Sequence, residues 1–170
     1  WLVVTFHTTA AAIGMEKLCA ARGLAGRLIP VPRALTADCG MAWRAEIDRR
    51  AALEALAAVD LLRGHGVKVW FVNVVDLLKI QNACENDQAI SDDRFTGFFG
   101  MGEKPVLFCF HAYAGTIRRL VWARPGHDAW CVHGYEEKGS TTTPFDMLRL
   151  NNMDRWALAA EVLRLIDGPR

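Results

Sequence analysis

Several signatures of secreted, membrane-spanning and nucleic-acid-binding proteins are missing from this sequence. Its five cysteines are an odd number and no two have CxxC spacing, so we expect neither a disulfide framework nor a zinc site. Free thiols favour a reducing, cytoplasmic location. The formal net charge is only +1, which argues against binding to nucleic acid or to an anionic membrane. No apolar run has transmembrane length, and the first residues lack the pattern of a signal peptide.

The composition is that of a folded domain. Of the 170 residues, 52% are hydrophobic and 23% are charged, which suits one medium domain or one domain with a small appendage. In the first third, a short β-branched run predicts a strand at Leu2–Phe6, a second strand is predicted at Arg27–Val31, and weak alternation predicts a third at Met41–Ile47. Helical spacing predicts a helix at Ala10–Arg22. We therefore expect a small N-terminal βαββ element.

Three apolar runs in the rest of the chain predict the strands of a parallel sheet: Val67–Val75, Lys104–His111 and Ala129–Gly134. The first run is almost wholly apolar, which is typical of a strand buried on both faces, so we expect Trp70 to be buried. Helical segments separate the runs, and an amphipathic helix at Asp154–Ile166 closes the chain. The predicted fold class is α/β, with an open, mostly parallel sheet and flanking helices.

A hydroxyl-rich loop lies between the last predicted strand and the closing helix. Thr141, Thr142 and Thr143 precede Pro144, and a proline restricts both its own backbone and that of the residue before it. Thr143 is therefore predicted to cap a helix that begins at Pro144. The hydroxyls could bind a phosphate, but packing of the loop against the sheet is favoured because buried hydroxyls usually form local hydrogen bonds.

Three motifs give this part of the chain a family resemblance. They lie at Asn73–Leu77, Lys104–Phe108 and Thr141–Met147, the last reading Thr-Thr-Thr-Pro-Phe-Asp-Met. With them, the stretch from about Leu53 to Ile166 resembles the C-terminal domain of phosphoketolases, thiamine-diphosphate enzymes that cleave xylulose 5-phosphate or fructose 6-phosphate. The resemblance implies a fold like that of the last domain of transketolases.

The resemblance also implies a limit on activity. In this family, thiamine diphosphate and magnesium lie mainly between two larger domains that precede the C-terminal one, which chiefly supports assembly. The GDG…N stretch that holds magnesium and diphosphate is not found in this sequence, so we expect no cofactor and no metal in this chain and no catalysis by it alone. The expected partners are a second copy of the chain or upstream domains of the phosphoketolase type.

We place the boundary between two segments near residue 52, with residues 1–52 in one and the phosphoketolase-like residues 53–170 in the other. Candidates for an interface or a ligand loop follow predicted strands or lie in the hydroxyl-rich loop: His111, Tyr113, Tyr135, Thr141, Thr142, Thr143 and Asp146. The carboxyl end of a strand is where α/β sheets place ligands, although a lone histidine such as His111 more often has a structural role.

The first segment carries motifs of a different kind: Thr5–Thr9 after the first strand, then Ile29–Arg33, Thr36, Cys39 and Gly40. They make it similar to a family of selenium/sulfur carrier-like proteins. The resemblance implies that Cys39 bears a persulfide, with Arg33 close in sequence and His7 as a candidate base. A buried, purely structural Cys39 is the alternative.

Three functions are therefore open at the level of the sequence. The first is a non-catalytic assembly domain of the phosphoketolase type. The second is a sulfur or selenium carrier that acts through Cys39, and the third is a folded relic without activity. The junction between the segments could come from a natural fusion, from engineering or from an artefact of sequence assembly.

Overall fold

The computed structural model of the chain describes residues 2–32, 38–46, 49–136 and 143–168. Arg33, Thr36, Thr141 and Thr142, which the sequence singles out, lie outside these described residues. The chain divides into two compact units, Trp1–Leu53 and Glu54–Arg170, called here the first and the second unit. None of the described helices is long and apolar enough to cross a lipid bilayer.

The first unit contains a three-stranded antiparallel sheet and one helix. Its elements are β1 (Leu2–Thr5), α1 (Thr9–Ala21), β2 (Arg27–Pro30) and β3 (Met41–Ala45). The strand order is β1-β3-β2, so β3 occupies the centre and pairs antiparallel with both neighbours. The predicted βαββ element is confirmed, with each strand one or two residues shorter than expected.

Trp43 is the centre of the first unit's core. It is fully buried in the central strand, and Ala12 and Cys19 from α1 are buried as well. Gly26 meets the indole ring directly, because a Cβ at that position would lie 2.0 Å from a ring carbon of Trp43. The core therefore needs a residue without a side chain at position 26.

The second unit is built around a parallel pair of strands, β4 (Val106–Cys109) and β5 (Trp130–His133). The boundary between the units falls within α2 (Arg50–Gly64). The remaining elements are a 3-10 turn at Leu77–Ile80, α3 (Asp92–Phe99), α4 (Ala114–Val121), a 3-10 turn at His127–Ala129, α5 (Pro144–Leu150) and α6 (Arg155–Asp167). Helices alternate with parallel strands, which confirms the predicted α/β class.

One face of the strand pair carries the core of the second unit. Phe108 and Val132 point into a buried cluster with Phe95, Phe99 and Ile117. Within it, the Trp130 ring stacks on Phe95 at 5.7 Å and on Phe108 at 5.4 Å between centroids. Because side chains alternate along a strand, residues 107, 109, 131 and 133 point to the opposite face.

The predicted strand at Val67–Val75 is wrong. These residues form no strand, and Trp70 and Val75 expose 77% and 84% of their surface. Val72 and Val74 still pack against the core, so the apolar run is buried on one side only. The Arg63 guanidinium donates to the Val69 carbonyl at 2.7 Å, which occupies an acceptor that a neighbouring strand would use.

Candidate functional site

The loops after β4 and β5 bring three predicted site residues together. Tyr135 N–H donates to the Ala112 carbonyl at 2.8 Å, which holds the two loops side by side. Tyr113 and Tyr135 then meet edge to face, with 5.8 Å between their ring centroids. β4 ends at Cys109, before the predicted end, so His111 lies in its following loop and is exposed.

The two loops approach each other too closely for a side chain between them. A Cβ on Gly134 would lie 2.5 Å from the Ala112 oxygen and 2.5 Å from the Ala114 nitrogen. These neighbours are backbone atoms, which cannot move aside as a flexible side chain can. Gly134 therefore sets the close packing that places Tyr135 against Tyr113.

The cavity at this edge of the sheet is small. It has a volume of about 10 Å³, which is room for roughly one water molecule. Its lining residues are Phe110, His111, Tyr135, Met147, Leu148, Asn151 and Met153. This cavity is smaller than thiamine diphosphate, the cofactor that the family resemblance implies.

Thr143 and Asp146 are engaged with each other. The Thr143 hydroxyl accepts the Asp146 N–H at 3.2 Å and donates to the Asp146 carboxylate at 2.6 Å. This pairing caps α5, with Pro144 in its first turn, and confirms the predicted helix start. Both side chains therefore have a local structural partner.

Asn151 is a structural residue of this edge that was not among the predicted site residues. It is buried, and its side-chain oxygen accepts the Glu136 N–H at 2.8 Å. Its amide donates to the Met147 carbonyl at 2.9 Å. Asn151 therefore fastens the loop after β5 to the end of α5, a role that depends on contacts across 15 residues of sequence.

A polar cluster lies on the face of the strand pair opposite the aromatic core. Cys131 and His133 project from β5, and Glu161 approaches from α6. One carboxylate oxygen, Oε1, lies 3.7 Å from the Cys131 sulfur and 3.8 Å from His133 Nε2. The other oxygen, Oε2, pairs with Arg164. Only the i, i+2 spacing of Cys131 and His133 could have indicated this cluster in the sequence.

The thiols on this face are held in the protonated form. Burial raises the pKa of Cys109 to about 12, and the neighbouring Cys131 adds to the rise. Burial also raises the pKa of Cys131, followed by the charge and the hydrogen bond of Glu161, while Arg118 and Arg164 oppose the rise. Low-dielectric surroundings and a nearby carboxylate both disfavour a thiolate.

In the first unit, Cys39 lies in the turn before β3. Its side chain is half-buried, and the sulfur donates to the Met41 carbonyl at 3.5 Å. Gly40 follows with a φ of +67°, a backbone conformation that glycine adopts without strain. The turn therefore presents Cys39 at the start of the central strand, partly open to solvent.

His7 contacts this same turn. Its Nδ1 lies 2.7 Å from Asp38 Oδ2, and both side chains are largely exposed. Asp38 immediately precedes Cys39, so the structure brings the predicted base to the residue next to the predicted nucleophile. No sequence pattern indicated Asp38, since His7 and Asp38 are 31 residues apart.

The fold and these sites define an α/β domain with a shallow sheet edge at which Tyr113 and Tyr135 meet. Residues 44–169 match the model of the family described as XFP C-terminal domain. The chain belongs to this family.

Relatives of the chain are named as phosphoketolases. The chain is 53% identical over 117 residues to "Probable phosphoketolase" of Bifidobacterium animalis subsp. lactis (strain AD011), which covers 69% of this chain and 14% of that protein. It is 47% identical over 116 residues to "Probable phosphoketolase" of Rhodopseudomonas palustris (strain BisB5), and this match covers 67% of this chain and 15% of that protein. The chain thus spans about one seventh of the length of these relatives.

A second family model matches the beginning of the chain. Residues 2–69 are similar to the family described as "Putative Se/S carrier protein-like". The two matches share residues 44–69, which include the end of β3 and all of α2. Both resemblances that the sequence motifs carry are confirmed.

Proposed function

We propose that the second unit is a non-catalytic assembly domain of a phosphoketolase-type enzyme, acting in the cytoplasm. The observation that carries this proposal is a set of large apolar side chains exposed on one domain. Trp70, Met101 and Trp156 expose 77%, 71% and 68% of their surface, and Val75 exposes 84%. Aromatic residues and methionine are enriched at protein–protein interfaces relative to the rest of a protein surface.

The sheet edge supports the non-catalytic part of the proposal. In open α/β sheets, ligands bind beyond the carboxyl ends of the strands. Among the described residues at this edge, the cavity has a volume of only about 10 Å³, far smaller than a sugar phosphate. Thr143, the described member of the threonine run, has a structural role as the cap of α5.

Sedimentation velocity over a range of concentrations tests the assembly role. The chain is measured alone and mixed with a phosphoketolase relative from which the C-terminal domain has been deleted. We expect self-association or a complex with the truncated relative. Trp70→Ser should weaken that association by about 10-fold or more, since buried tryptophans are common hot spots of interfaces. Lys68→Ser, at an exposed position of the same segment, is the matched control and should leave it unchanged.

If the chain is monomeric at every concentration and does not bind the truncated relative, the assembly role is contradicted. The non-catalytic part has its own assay. The purified chain is incubated with thiamine diphosphate, magnesium and xylulose 5-phosphate, and we expect no cleavage of the sugar phosphate. Turnover by the chain alone would overturn this part of the proposal.

A second candidate function is sulfur or selenium transfer by Cys39. The His7–Asp38 pair favours it, because Asp38 immediately precedes Cys39 in the chain and a histidine oriented by a carboxylate can act as a base toward a thiol within its reach. The Cys39 thiolate would attack the terminal sulfur of a donor persulfide. The donor would leave as a thiolate, and Cys39 would carry the persulfide, with no net oxidation.

Mass spectrometry tests the carrier function after incubation of the chain with a cysteine desulfurase and cysteine. We expect a mass increase of one sulfur on Cys39, lost in Cys39→Ser and reduced in Asp38→Asn. Cys84→Ser removes an exposed thiol elsewhere and serves as the control. Adduct formation that persists in Cys39→Ser would exclude the carrier function.

A further inference from the structure

The cluster of Cys131, His133 and Glu161 has the chemistry of a metal site. Thiolate, imidazole and carboxylate are the three side-chain groups that bind zinc in proteins. In the structure, one potential ligand atom from each residue lies within 4.8 Å of the other two. No motif with the spacing of a zinc finger is involved, because the third group comes from a helix 28 residues after the second.

The distances suit a single ion. Glu161 Oε1 is 3.7 Å from the Cys131 sulfur and 3.8 Å from His133 Nε2. Bonds of about 2.0–2.3 Å to a tetrahedral zinc would place its ligand atoms roughly 3.3–3.6 Å apart. The Glu161 oxygen is therefore within a few tenths of an ångström of a tetrahedral separation from each of its two partners, and all three atoms lie within 4.8 Å of one another.

A neighbouring arginine orients the Glu161 carboxylate for metal binding. Arg164 pairs with Glu161 Oε2, which leaves Oε1 directed at the other two side chains. Outer partners of this kind orient metal ligands and tune their affinity. The His133 and Glu161 side chains expose 20% and 14% of their surface, so the cluster is shielded from bulk water while an ion can still reach it.

We propose that Cys131, His133 and Glu161 bind one Zn²⁺ ion with a fourth position open to water or to an exogenous ligand. Thiolate and carboxylate together balance the charge of the ion, and the Cys131 proton is released on binding. Two ligands come from β5 and the third from α6, so the ion would tie the closing helix to the sheet. This site is independent of the assembly role and of Cys39.

Cobalt substitution and calorimetry test the site on the full chain. We expect one Zn²⁺ per chain by isothermal titration, and a thiolate-to-metal charge-transfer band when Co²⁺ replaces it. Bound zinc should also raise the melting temperature, since it binds only the folded chain. Cys131→Ser should abolish the charge-transfer band. His133→Gln and Glu161→Gln should each lower the affinity for zinc by about 10–100-fold or more, since loss of a residue that only orients a ligand already has an effect of that size.

Two variants serve as matched controls. Cys84→Ser removes an exposed cysteine and His127→Gln removes a histidine of another loop, and both should bind zinc as the unaltered chain does. Circular dichroism verifies that each variant is folded. The proposal is overturned if the unaltered chain binds no stoichiometric zinc, or if the cobalt–thiolate band survives in folded Cys131→Ser. It is equally overturned if the controls lose zinc as strongly as the three ligand variants.

Discussion

Arg155 and Glu54, 101 residues apart in sequence, form a two-point ion pair within the second unit. Arg155 Nε donates to Glu54 Oε2 at 2.9 Å, and its Nη2 donates to Oε1 at 3.2 Å. The Arg155 backbone N–H adds a third hydrogen bond at 3.1 Å. The pair joins α2 to the first residue of α6, so it fixes where the closing helix begins.

Removal of either partner of this pair should destabilise the chain. Arg155→Ala removes both guanidinium hydrogen bonds from a carboxylate that is only 7% exposed, while the backbone N–H of residue 155 stays in place. We expect a loss of about 2–3 kcal/mol in the free energy of unfolding, below the range for fully buried pairs because Arg155 is half-exposed. Glu54→Gln should cost about 1–2 kcal/mol. Urea denaturation measures both.

Asp60→Asn is the matched control for this pair, since Asp60 is exposed on the same helix. It should change stability by no more than about 0.5 kcal/mol. Equal effects of Asp60→Asn and Arg155→Ala would show that the ion pair contributes nothing beyond a surface charge.

Arg124 should be the most sensitive charged residue of the second unit. Its guanidinium is buried, with the Phe95 ring centroid at 4.8 Å. It donates to the carbonyls of Ile80 at 3.1 Å and Ile90 at 2.7 Å, to that of Gln81, and to the Asp92 carboxylate. The residue therefore satisfies three backbone acceptors in the segment that runs from Ile80, at the end of the first 3-10 turn, to the start of α3.

Arg124→Met should lower the free energy of unfolding by about 3 kcal/mol or more, because the three carbonyls lose their donor in a buried site. Arg124→Lys should also be costly, since one ammonium cannot reproduce the planar fork. Arg119→Met, at an exposed position of α4, should have little effect. Thermal denaturation that ranks Arg119→Met with Arg124→Met would contradict this account.

The buried thiols predict a loss of stability at alkaline pH. The folded-state pKa of Cys109 is about 12, whereas an unfolded cysteine titrates near pH 8.5. Between these values the folded chain holds a proton that the unfolded chain has released, so the stabilisation is complete below about pH 8.5 and falls as pH rises. The slope is about 1.4 kcal/mol per pH unit for one thiol.

Cys109→Ala should make that decline shallower between about pH 8.5 and pH 10.5, as measured by urea denaturation at each pH. Cys84→Ala removes an exposed thiol and should leave the decline unchanged. Parallel pH profiles for the unaltered chain and Cys109→Ala would be inconsistent with a raised thiol pKa.

Two glycines of the first unit should respond in opposite directions to alanine. Gly26→Ala would place a Cβ inside the Trp43 ring system and should destabilise the chain by about 1–3 kcal/mol. Gly14 lies inside α1, and a Cβ at that position would meet no atom within 4 Å. Gly14→Ala should therefore stabilise the chain by about 0.5–1 kcal/mol through helix propensity. Denaturation curves that shift in the same direction would refute this.

Local sequence patterns predicted most of the helices and strands to within two residues. Thr143 and Pro144 marked the start of α5 because cap and proline chemistry depend only on adjacent residues. Whether Val67–Val75 forms a strand could not be predicted from adjacent residues alone. A strand exists only if a neighbour completes its hydrogen bonds, and here Arg63 takes an acceptor while Trp70 is left exposed.

The candidate sites also divide into residues that local sequence patterns indicate and residues that only the tertiary structure brings together. The motifs made candidates of Cys39 and the loop residues His111 and Tyr113, since each lies next to a recognisable local signal. Asn151 and Glu161 were not among the predicted site residues, because their partners lie 15 and 30 residues away. His7 was a candidate base, but only the structure showed Asp38 as its partner.

By itself, the sequence determined the family, the α/β class and the local starts of helices, because these depend on residue type and short-range spacing. Tertiary structure alone decided which apolar run became a strand and which polar groups met. Glu54 contacts Arg155, and Cys131 contacts Glu161, only when the sheet and the helices have packed together. Such contacts are set by the geometry of distant elements, and that geometry is not encoded in any short stretch of residues.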